Sequence, residues 1–553
     1  MAVQRSDDAR LDDRDRNDWT LRDEDAREYV QGAVDATVTL VESTYGPTGM
    51  EKLVGTTDRQ NRDDLRRIDD AGRLFEAIES GDGFGHPVAA LFVDGVDGMR
   101  NRLHDGTTAS VLLAGALMDE GFDLVERGLA PSSVIVGYGI ARSHAGEVLD
   151  ELARPVDADD EETLADVAAT TMTTALDRDV RRDLSARVAA TVRRLGDAGD
   201  GDWVNTDHAK VLAAPGVETR TDDGLVLSRP ADAGPTGRGV TEPITDARVA
   251  IVDREIDFEE TASVLDGGEG VHLSSPQAAT RYRTELAARI DAAAERLVEG
   301  GVDVVVSQEK LDESVVTAFE RAGLSVVDKA TYPKEDVYRL ATATGGTVVS
   351  NLDDLTPDHL GRAERVEERR AGDEVWTVFD GCPGPVATLV TGGATQAEVQ
   401  RRKTAVEDAF ETVATAAIDG QVLPGAGAPA AAVAASLREG ATTVSGREQL
   451  AVRAFADALE RLPATLARNA GYDPVTAVTD LRSAHASGPT ATGLSAETGE
   501  PIDAWTAGIV EPRRVFSQAV ETAAAIVEQL LTIDSVLYPN VELYGYTPRP
   551  ERE

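Results

Sequence analysis

Cysteine and long apolar runs are almost absent from this chain of 553 residues. The single cysteine, Cys382, cannot form an intramolecular disulfide, which excludes a disulfide-stapled fold and suits a reducing compartment. No uninterrupted apolar run reaches the ~18 residues that indicate a membrane span. No leader with a charged start and an apolar centre opens the sequence. We therefore expect a cytoplasmic protein with no membrane partner.

Positive charge is also scarce. The chain has 55 lysines and arginines against 99 aspartates and glutamates, and its formal net charge is −44. Such a surface is a poor partner for nucleic acid, because it has no basic stripe to replace the counterions of the phosphates. An acidic surface with few lysines suits a high-salt cytoplasm, where salt screens the repulsion between like charges. We attribute the acidity to salt adaptation and expect no nucleic-acid partner.

The apolar residues that are present favour several folded domains. Hydrophobic residues make up 41% of the chain, which excludes wholesale disorder. A chain of this length is expected to divide into about three or four domains. Helical spacing dominates both ends of the chain, whereas short β-branched runs alternate with helical segments between about 216 and 367. This pattern predicts an α+β multidomain protein with an inserted α/β domain.

Individual elements follow from the same periodicities. Helical segments are expected at 23–45, 132–153, 276–297, 311–322, 334–344, 396–418, 428–439, 449–469 and 514–531, and short strands at 249–252, 304–306, 325–327 and 347–349. More helix is expected after the acidic cluster 157–162 and through Leu195. A short hairpin or loop is expected at 57–70.

The most informative motif is Asp105-Gly106-Thr107-Thr108, which the apolar run Ala109–Met118 follows at once. The run predicts a helix whose free N–H groups and positive dipole end face the motif, an arrangement that binds phosphate oxygens. The carboxylate of Asp105 suits a Mg²⁺ ion carried on those phosphates. In isolation the tetrapeptide is more often an ordinary turn and helix cap, so its meaning depends on the other motifs of the chain.

Further motifs occur in a set order along the chain. They are Tyr45-Gly46-Pro47-Thr48-Gly49-Met50-Glu51-Lys52, Glu407-Asp408-Ala409, Leu423-Pro424-Gly425-Ala426-Gly427-Ala428-Pro429, Gly446-Arg447-Glu448-Gln449-Leu450-Ala451, Asn469-Ala470-Gly471 and Val510-Glu511-Pro512. With these motifs the chain resembles group II chaperonin subunits of the archaeal thermosome type over nearly its whole length. The resemblance implies an ATPase that uses ATP and Mg²⁺ to fold unfolded client proteins inside a double ring of identical or paralogous subunits.

The resemblance also implies a domain organisation. It consists of an acidic tail (1–18), an equatorial domain (19–150 and 402–537), an intermediate domain (151–215 and 368–401), an apical α/β domain (216–367) with a helical protrusion at about 255–297, and a C-terminal tail (538–553). The apical limits agree with those that the alternation of strands and helices indicates.

Three acidic residues receive roles in catalysis from the resemblance. Asp105 is the expected metal ligand, and Gly106, Thr107 and Thr108 hold the phosphates. Asp408 matches the family's catalytic carboxylate, which orients or deprotonates the attacking water. Asp70 is assigned to a second carboxylate near the γ-phosphate, because Asp69-Asp70-Ala71-Gly72 falls where the family has Asn-Asp-Gly.

The remaining expected contacts to the nucleotide come from loops. Gly46 and Pro47 form a tight loop whose backbone approaches the nucleotide closely. Gly425 and Gly427 leave room for the base and sugar, and Glu511 accepts hydrogen bonds from the ribose hydroxyls. For each of these residues a plain helix stop, turn or cap is the alternative explanation.

Four departures from the family bear on activity. Thr48 replaces a lysine, His104 replaces a glycine, Ala426 interrupts a triple glycine, and Ala175 stands where a lysine senses the γ-phosphate. They leave open an alternative in which the chain is a non-hydrolysing or weakly hydrolysing structural subunit of a mixed ring. An enzyme acting on a small molecule is a further alternative, which the lack of a clustered acid, base or nucleophile in the inserted domain disfavours.

Overall fold

A computed structural model describes residues 20–57, 63–80, 86–172, 176–197, 204–230, 239–254, 256, 258, 276–328, 335–488 and 490–537. The chain divides into two compact units. Met1–Arg154 and Val422–Glu553 belong to the first, which we call the terminal unit, and Pro155–Gln421 forms the second, the inserted unit.

The terminal unit is mainly helical. Its helices are Asp23–Val41, Ala71–Glu79, Pro87–Leu103, Thr107–Glu126, Pro131–Leu152, Ala428–Gly440, Glu448–Leu459, Arg461–Asn469, Pro474–Ala484 and Arg513–Leu531. Its strands form antiparallel pairs: Thr20–Arg22 with Ser535–Leu537, Lys52–Thr57 with Asp63–Ile68, and Thr492–Leu494 with Pro501–Asp503. The strand Gln421–Pro424, whose residues from Val422 onward belong to this unit, pairs with Val510–Pro512.

One central helix organises the core of the terminal unit. Thr107–Glu126 is buried at every position from Thr107 to Met118, which requires neighbours on all of its sides. Glycines let those neighbours approach closely: a Cβ on Gly115 would lie 2.4 Å from a methyl carbon of Val38 in the helix Asp23–Val41. The helix Arg513–Leu531 also contributes its apolar face to this core. The start of the central helix is therefore held in place by several elements at once.

The inserted unit contains more sheet. Its helices are Glu161–Thr171, Arg178–Asp197, Pro276–Glu299, Glu313–Arg321, Asp336–Thr344 and Gln396–Asp419. Its strands are Ala209–Pro215, Arg220–Asp222, Gly224–Pro230, Ile244–Val252, Val304–Ser307, Ser325–Val327, Val348–Val349, Gly361–Ala371, Glu374–Asp380 and Ala387–Gly393. A short strand, Arg154–Pro155, lies at the point where the chain first passes between the two units.

The larger sheet of the inserted unit is mixed. Ile244–Val252 pairs in parallel with Val304–Ser307 and antiparallel with Gly361–Ala371. Successive side chains of a strand point to opposite faces, and here both faces are covered. Val249 and Ile251 belong to one apolar cluster, whereas Ala250 belongs to another that includes residues of the helix Pro276–Glu299.

The second sheet and the lone cysteine complete the inserted unit. Ala387–Gly393 is its central strand, parallel to Ala209–Pro215 and antiparallel to Arg220–Asp222. Cys382 is buried, its Sγ lies 3.4 Å from the carbonyl oxygen of Phe379, and burial raises the pKa of its thiol to about 12. Cys382 therefore lies in an apolar core of the inserted unit.

The elements agree with the sequence predictions in type, and the α+β multidomain class is confirmed. Three helices differ in extent. The segment 449–469 breaks at Glu460 into two helices, since Pro463 lacks an N–H and fits only the first turn of a new helix. The first helix ends at Val41, and Glu42–Thr44 continues as a 3-10 turn. The helical stretch expected after 157–162 and through Leu195 forms two helices, Glu161–Thr171 and Arg178–Asp197.

Some domain expectations lie outside the described residues. These include both tails and most of the protrusion before Pro276. The helix Gln396–Asp419 lies wholly in the inserted unit, whereas the expected boundary at 402 would divide it. The division into equatorial, intermediate and apical domains stays a prediction. Among the described helices, none combines the length and the apolar character that crossing a bilayer requires.

Truncation of Phe455 tests the core of the terminal unit. This side chain is fully buried, and its ring packs edge-on against that of Tyr138 with 5.5 Å between the centroids. Phe455→Ala is expected to lower the free energy of unfolding by about 3–5 kcal/mol, because it leaves a cavity. Leu450→Ala on the same helix is the control: Leu450 is 38% exposed and should cost less than about 1 kcal/mol. Urea unfolding at high salt measures the free energy of unfolding of both variants. Equal losses of stability would contradict the described packing of Phe455.

Candidate functional site

The Asp105-Gly106-Thr107-Thr108 motif forms a turn between two helices of the terminal unit. His104 ends the helix Pro87–Leu103 with a left-handed φ of 54°, and Gly106 follows with a φ of 77°. This left-handed φ favours glycine, and a Cβ on Gly106 would also lie 2.2 Å from Cε of Met99, which would have to move. Because Gly106 is the N-cap of the next helix, that helix has no side-chain cap. Its first N–H groups are left for another acceptor, as predicted for a phosphate site.

The carboxylate of Asp105 lies beside this helix start. Its Oδ1 accepts a hydrogen bond of 2.6 Å from the N–H of Gly106. Burial raises the pKa of Asp105, and the charge of Asp70 adds to this effect while the bond from Gly106 opposes it. Desolvation without a compensating cation therefore makes the charged form of Asp105 costly, and a bound cation would relieve that cost.

Asp70 lies at the start of a second helix, Ala71–Glu79, which contacts the start of the helix Thr107–Glu126. Its Oδ1 accepts from the N–H of Arg73 at 2.9 Å and caps the helix Ala71–Glu79. The N–H of Ala71 donates to Oγ1 of Thr108 at 3.0 Å, which connects the two helix starts directly. Burial raises the pKa of Asp70, and the Arg73 guanidinium opposes the rise. The structure thus brings Asp70 and Asp105 together.

The Gly46-Pro47 loop is shaped by its neighbours. Gly46 has a left-handed φ of 87°, and a Cβ on it would lie 2.4 Å from Cδ2 of Leu466. The side-chain amide of Asn469 donates to the carbonyl oxygens of Glu42 and Tyr45, at 2.9 and 2.8 Å. The backbone of this loop is therefore held rigidly, while Pro47 is exposed.

The Gly425-Ala426-Gly427 loop lies next to the Gly46 loop. Leu466 links the two, since Cδ1 of Leu466 lies 3.3 Å from the position of a Cβ on Gly427. The N–H of Gly425 donates to the carbonyl oxygen of Ile509 at 2.7 Å, and the N–H of Leu494 donates to that of Ala426 at 2.9 Å. Gly427, with a φ of 75°, starts the helix Ala428–Gly440 without a side-chain cap. A second uncapped helix start therefore belongs to this unit.

Glu511 brings a third carboxyl group to the site. It pairs with Leu423 in the antiparallel strands that lead into the Gly425 loop. Burial and the charge of Asp105 raise the pKa of Glu511 to about 8. Burial also raises the pKa of Tyr45, with Glu511 and Asp105 as the charged neighbours that add to the rise. Side chains from three separate segments of the chain thus share one partly buried, acidic region.

This region fits a magnesium–phosphate group better than a bare metal ion. Within the part of the chain that the structure describes, no three His, Cys, Asp or Glu side chains are grouped so that they could hold a metal. A Mg²⁺ ion at Asp105 would take its other oxygen ligands from phosphates and water, as Mg²⁺ usually does. The uncapped helix start supplies N–H donors for the same phosphates.

Asp408 lies in the other unit. It is half-buried on the helix Gln396–Asp419, and its carbonyl oxygen accepts from Oγ1 of Thr412 at 3.0 Å. Its assignment as the catalytic carboxylate stays a prediction. Ala175 lies outside the described residues.

Sequence reasoning missed three contributors to the site. Tyr45 adjoins the predicted Gly46 loop, and its position next to that glycine was the available signal. Asn469 was part of a quoted motif to which no role was given, although its amide anchors the loop. The hairpin formed by Thr492–Leu494 and Pro501–Asp503 was not predicted, because its strands have only three residues each and carry no clear alternation.

Comparison with known proteins agrees with this architecture. The pattern of the TCP-1/cpn60 chaperonin family matches residues 38–540. The chain is 34% identical to the thermosome subunit of Methanopyrus kandleri over 499 residues, which cover 90% of this chain and 89% of that protein. It is also 34% identical to thermosome subunit alpha of Halobacterium salinarum over 523 residues, 93% of this chain and 88% of the relative. The same identity, over 515 residues, relates it to thermosome subunit 1 of Haloferax volcanii, with 93% and 89% covered.

These similarities extend over both units, and they define the class of protein. The chain belongs to the TCP-1/cpn60 chaperonin family. Within that family it is a group II chaperonin of the thermosome type, and its function lies in ATP-dependent protein folding. Two of the relatives come from halophilic genera, which agrees with the attribution of the net charge of −44 to salt adaptation.

The raised pKa of Glu511 predicts a pH-dependent stability of the nucleotide-free protein. Between the ordinary value of 4.5 and the folded value of about 8, the unfolded chain releases the proton that the folded chain keeps. Rising pH therefore destabilises the fold over this window, by on the order of 1 kcal/mol per pH unit. Glu511→Gln cannot ionise and is expected to gain thermal stability over the unmodified protein at about pH 8 but not at about pH 5. Melting curves at the two pH values test this, and an unchanged difference would contradict the desolvation of Glu511.

Proposed function

We propose that the terminal unit binds Mg-ATP between its loops and that hydrolysis of this ATP drives the folding cycle. One observation carries the proposal: Asp105, the uncapped start of the helix Thr107–Glu126, and Glu511 meet in one partly buried region. Mg²⁺ balances the negative charge of a triphosphate, and the N–H groups at the helix start donate hydrogen bonds to its oxygens. The triphosphate in turn supplies oxygen ligands that complete the coordination of the metal.

Each loop has a part in this proposal. Asp105 coordinates Mg²⁺, and Gly106, Thr107 and Thr108 hold the phosphates. Asp70 acts near the terminal phosphate, as its connection to Thr108 through Ala71 supports. The backbone at Gly46 and Pro47 approaches the nucleotide from the opposite loop.

The base and ribose are assigned to the other two segments. Gly425 and Gly427 have no side chains, so their backbone can approach the base and the sugar closely. Glu511 accepts from the ribose hydroxyls. The raised pKa of Glu511 means that a molecule bound beside the carboxyl group can change whether it is protonated or ionised.

The inserted unit carries the proposed client-binding function. Along the first half of the helix Pro276–Glu299, Arg281, Arg283 and Glu285 are exposed, whereas Tyr282 and Leu286 are half-buried. The apolar surface of this helix is therefore thin. High salt strengthens hydrophobic contacts, so a small apolar surface suffices for unfolded clients in a halophilic cytoplasm.

Assembly into stacked rings of identical or paralogous subunits is part of the same proposal. Thr20–Arg22 and Ser535–Leu537 pair with each other within the chain. Among the described residues no further strand pairs with this sheet, and a strand of a neighbouring subunit can add to such an edge. The terminal strands therefore support a ring contact by β-augmentation.

Substitution of Asp408 tests hydrolysis separately from nucleotide binding. Asp408→Ala is expected to lower the turnover of ATP by about 100-fold or more, because the attacking water loses its orienting carboxylate. The affinity for Mg-ATP should stay within about threefold, since phosphate binding is assigned to the terminal unit. Phosphate release and isothermal titration at multimolar salt measure the two quantities.

The neighbouring carboxylate provides the matched control. Glu407 is exposed and pairs with Lys403 at 3.7 Å, so Glu407→Ala removes a charge of the same sign without removing the assigned group. Its turnover should stay close to that of the unmodified protein. Equal background turnover in the unmodified protein and Asp408→Ala, with binding intact, would favour the alternative of a non-hydrolysing structural subunit.

Client folding is tested with a denatured protein at multimolar salt. We expect the assembled chaperonin to suppress aggregation, measured by light scattering, and to return the client to activity only when Mg-ATP is present. Asp105→Ala should retain suppression but lose the ATP-dependent recovery, because the metal ligand is missing. Recovery that does not depend on ATP in either protein would contradict the proposed cycle.

A further inference from the structure

The proposed nucleotide site contains little positive charge. The segments 45–49, 69–73, 104–108, 424–427 and 509–512 hold four acidic side chains, Asp69, Asp70, Asp105 and Glu511, and one arginine or lysine, which is Arg73. A triphosphate adds further negative charge to this region. The position of Arg73 therefore bears on how the site tells one nucleotide from another.

Arg73 lies in the first turn of the helix Ala71–Glu79, next to the carboxylates of the site. Its Nη1 is 3.4 Å from Oδ1 of Asp69 and 3.4 Å from Oδ2 of Asp70, and the side chain is 31% exposed. Surface ion pairs of this length and exposure are weak. The nearby Arg100 is engaged elsewhere, with Glu76 at 2.9 Å and Asp97 at 3.7 Å.

The start of this helix also lies at the phosphate end of the site. The N–H of Ala71, two residues before Arg73, donates to Oγ1 of Thr108 at 3.0 Å. Thr108 belongs to the helix start assigned to the phosphates, and Asp70 and Asp105 interact through their charges. Arg73 thus lies within one helical turn of Asp70 and of the N–H that bonds Thr108.

We propose that Arg73 binds the terminal phosphate of ATP and makes the site discriminate between ATP and ADP. The inference rests on the proposed function of the terminal unit. A guanidinium donates two parallel hydrogen bonds to a phosphate and stays charged at any working pH, which makes it a strong partner for a phosphate. ADP lacks the terminal phosphate that Arg73 binds, so Arg73 adds little to the affinity for ADP.

Paired binding measurements test the inference. Arg73→Gln is expected to weaken the binding of a non-hydrolysable ATP analogue with Mg²⁺ by roughly tenfold or more, and the binding of ADP by less than about threefold. Arg73→Lys keeps the charge but loses the fork, so it should recover part of the ATP preference. Isothermal titration of the assembled protein at fixed high salt gives both affinities.

A control variant separates this role from a general loss of charge. Arg127 forms a similar surface pair with Asp123 at 2.7 Å, at the far end of the helix Thr107–Glu126. Arg127→Gln should leave both affinities unchanged. Thermal melting of each variant shows whether it is folded, and Arg73→Lys serves as the test if Arg73→Gln is not.

The outcomes distinguish this inference from the function on which it rests. A selective loss of ATP analogue binding in the Arg73 variants supports it. Equal losses for both nucleotides, or no loss for either, overturn it and leave Arg73 as a neutraliser of Asp69 and Asp70. If the unmodified protein binds neither nucleotide, the result contradicts the proposed nucleotide site itself, and with it this inference.

Discussion

The terminal unit depends on one constraint: the central helix must be buried on all sides while its first turn stays uncapped. Burial from Thr107 to Met118 holds the helix in a fixed position. Gly106 then has the left-handed φ that favours glycine, and Met99 and Val515 lie where a Cβ would be. The first N–H groups cannot turn away towards another partner, since the core prevents the helix from moving. A rigid, unsatisfied donor set of this kind is what preorganised phosphate binding requires.

The same burial sets the electrostatic balance of the site. Asp105, Asp70 and Glu511 each have a raised pKa, with desolvation as the largest cause. The nucleotide-free site therefore works against the stability of the fold, and a magnesium ion would relieve the repulsion among the carboxyl groups. Surface acidity and site acidity have different origins in this chain. Salt screens the exposed carboxylates, whereas partly buried groups are screened much less.

Helices and strands were predictable from the sequence where the apolar periodicity is strong. Two departures from the family show how the fold tolerates substitutions in its loops. His104 and Ala426 replace glycines, yet both keep a left-handed φ, 54° and 58°. Such a conformation costs a non-glycine residue about 1–2 kcal/mol. Hydrogen bonds hold each in place: the N–H of His104 donates to Arg100, and the carbonyl oxygen of Ala426 accepts from Leu494. The backbone conformation of each motif is therefore kept although the residue type changes. Sequence spacing alone does not show this.

What the sequence could not supply is proximity between distant segments. The residues 45, 105 and 511 lie far apart in the chain, and only the packing of the helices around Thr107–Glu126 brings their side chains into mutual electrostatic contact. Arg73 illustrates the difference most clearly. In the sequence it is one of many arginines near aspartates, which indicates a solvated helix face. In the fold its helix start is bonded to Thr108. An arginine there changes the charge that a terminal phosphate meets, so selectivity among nucleotides depends on contacts that no local motif encodes.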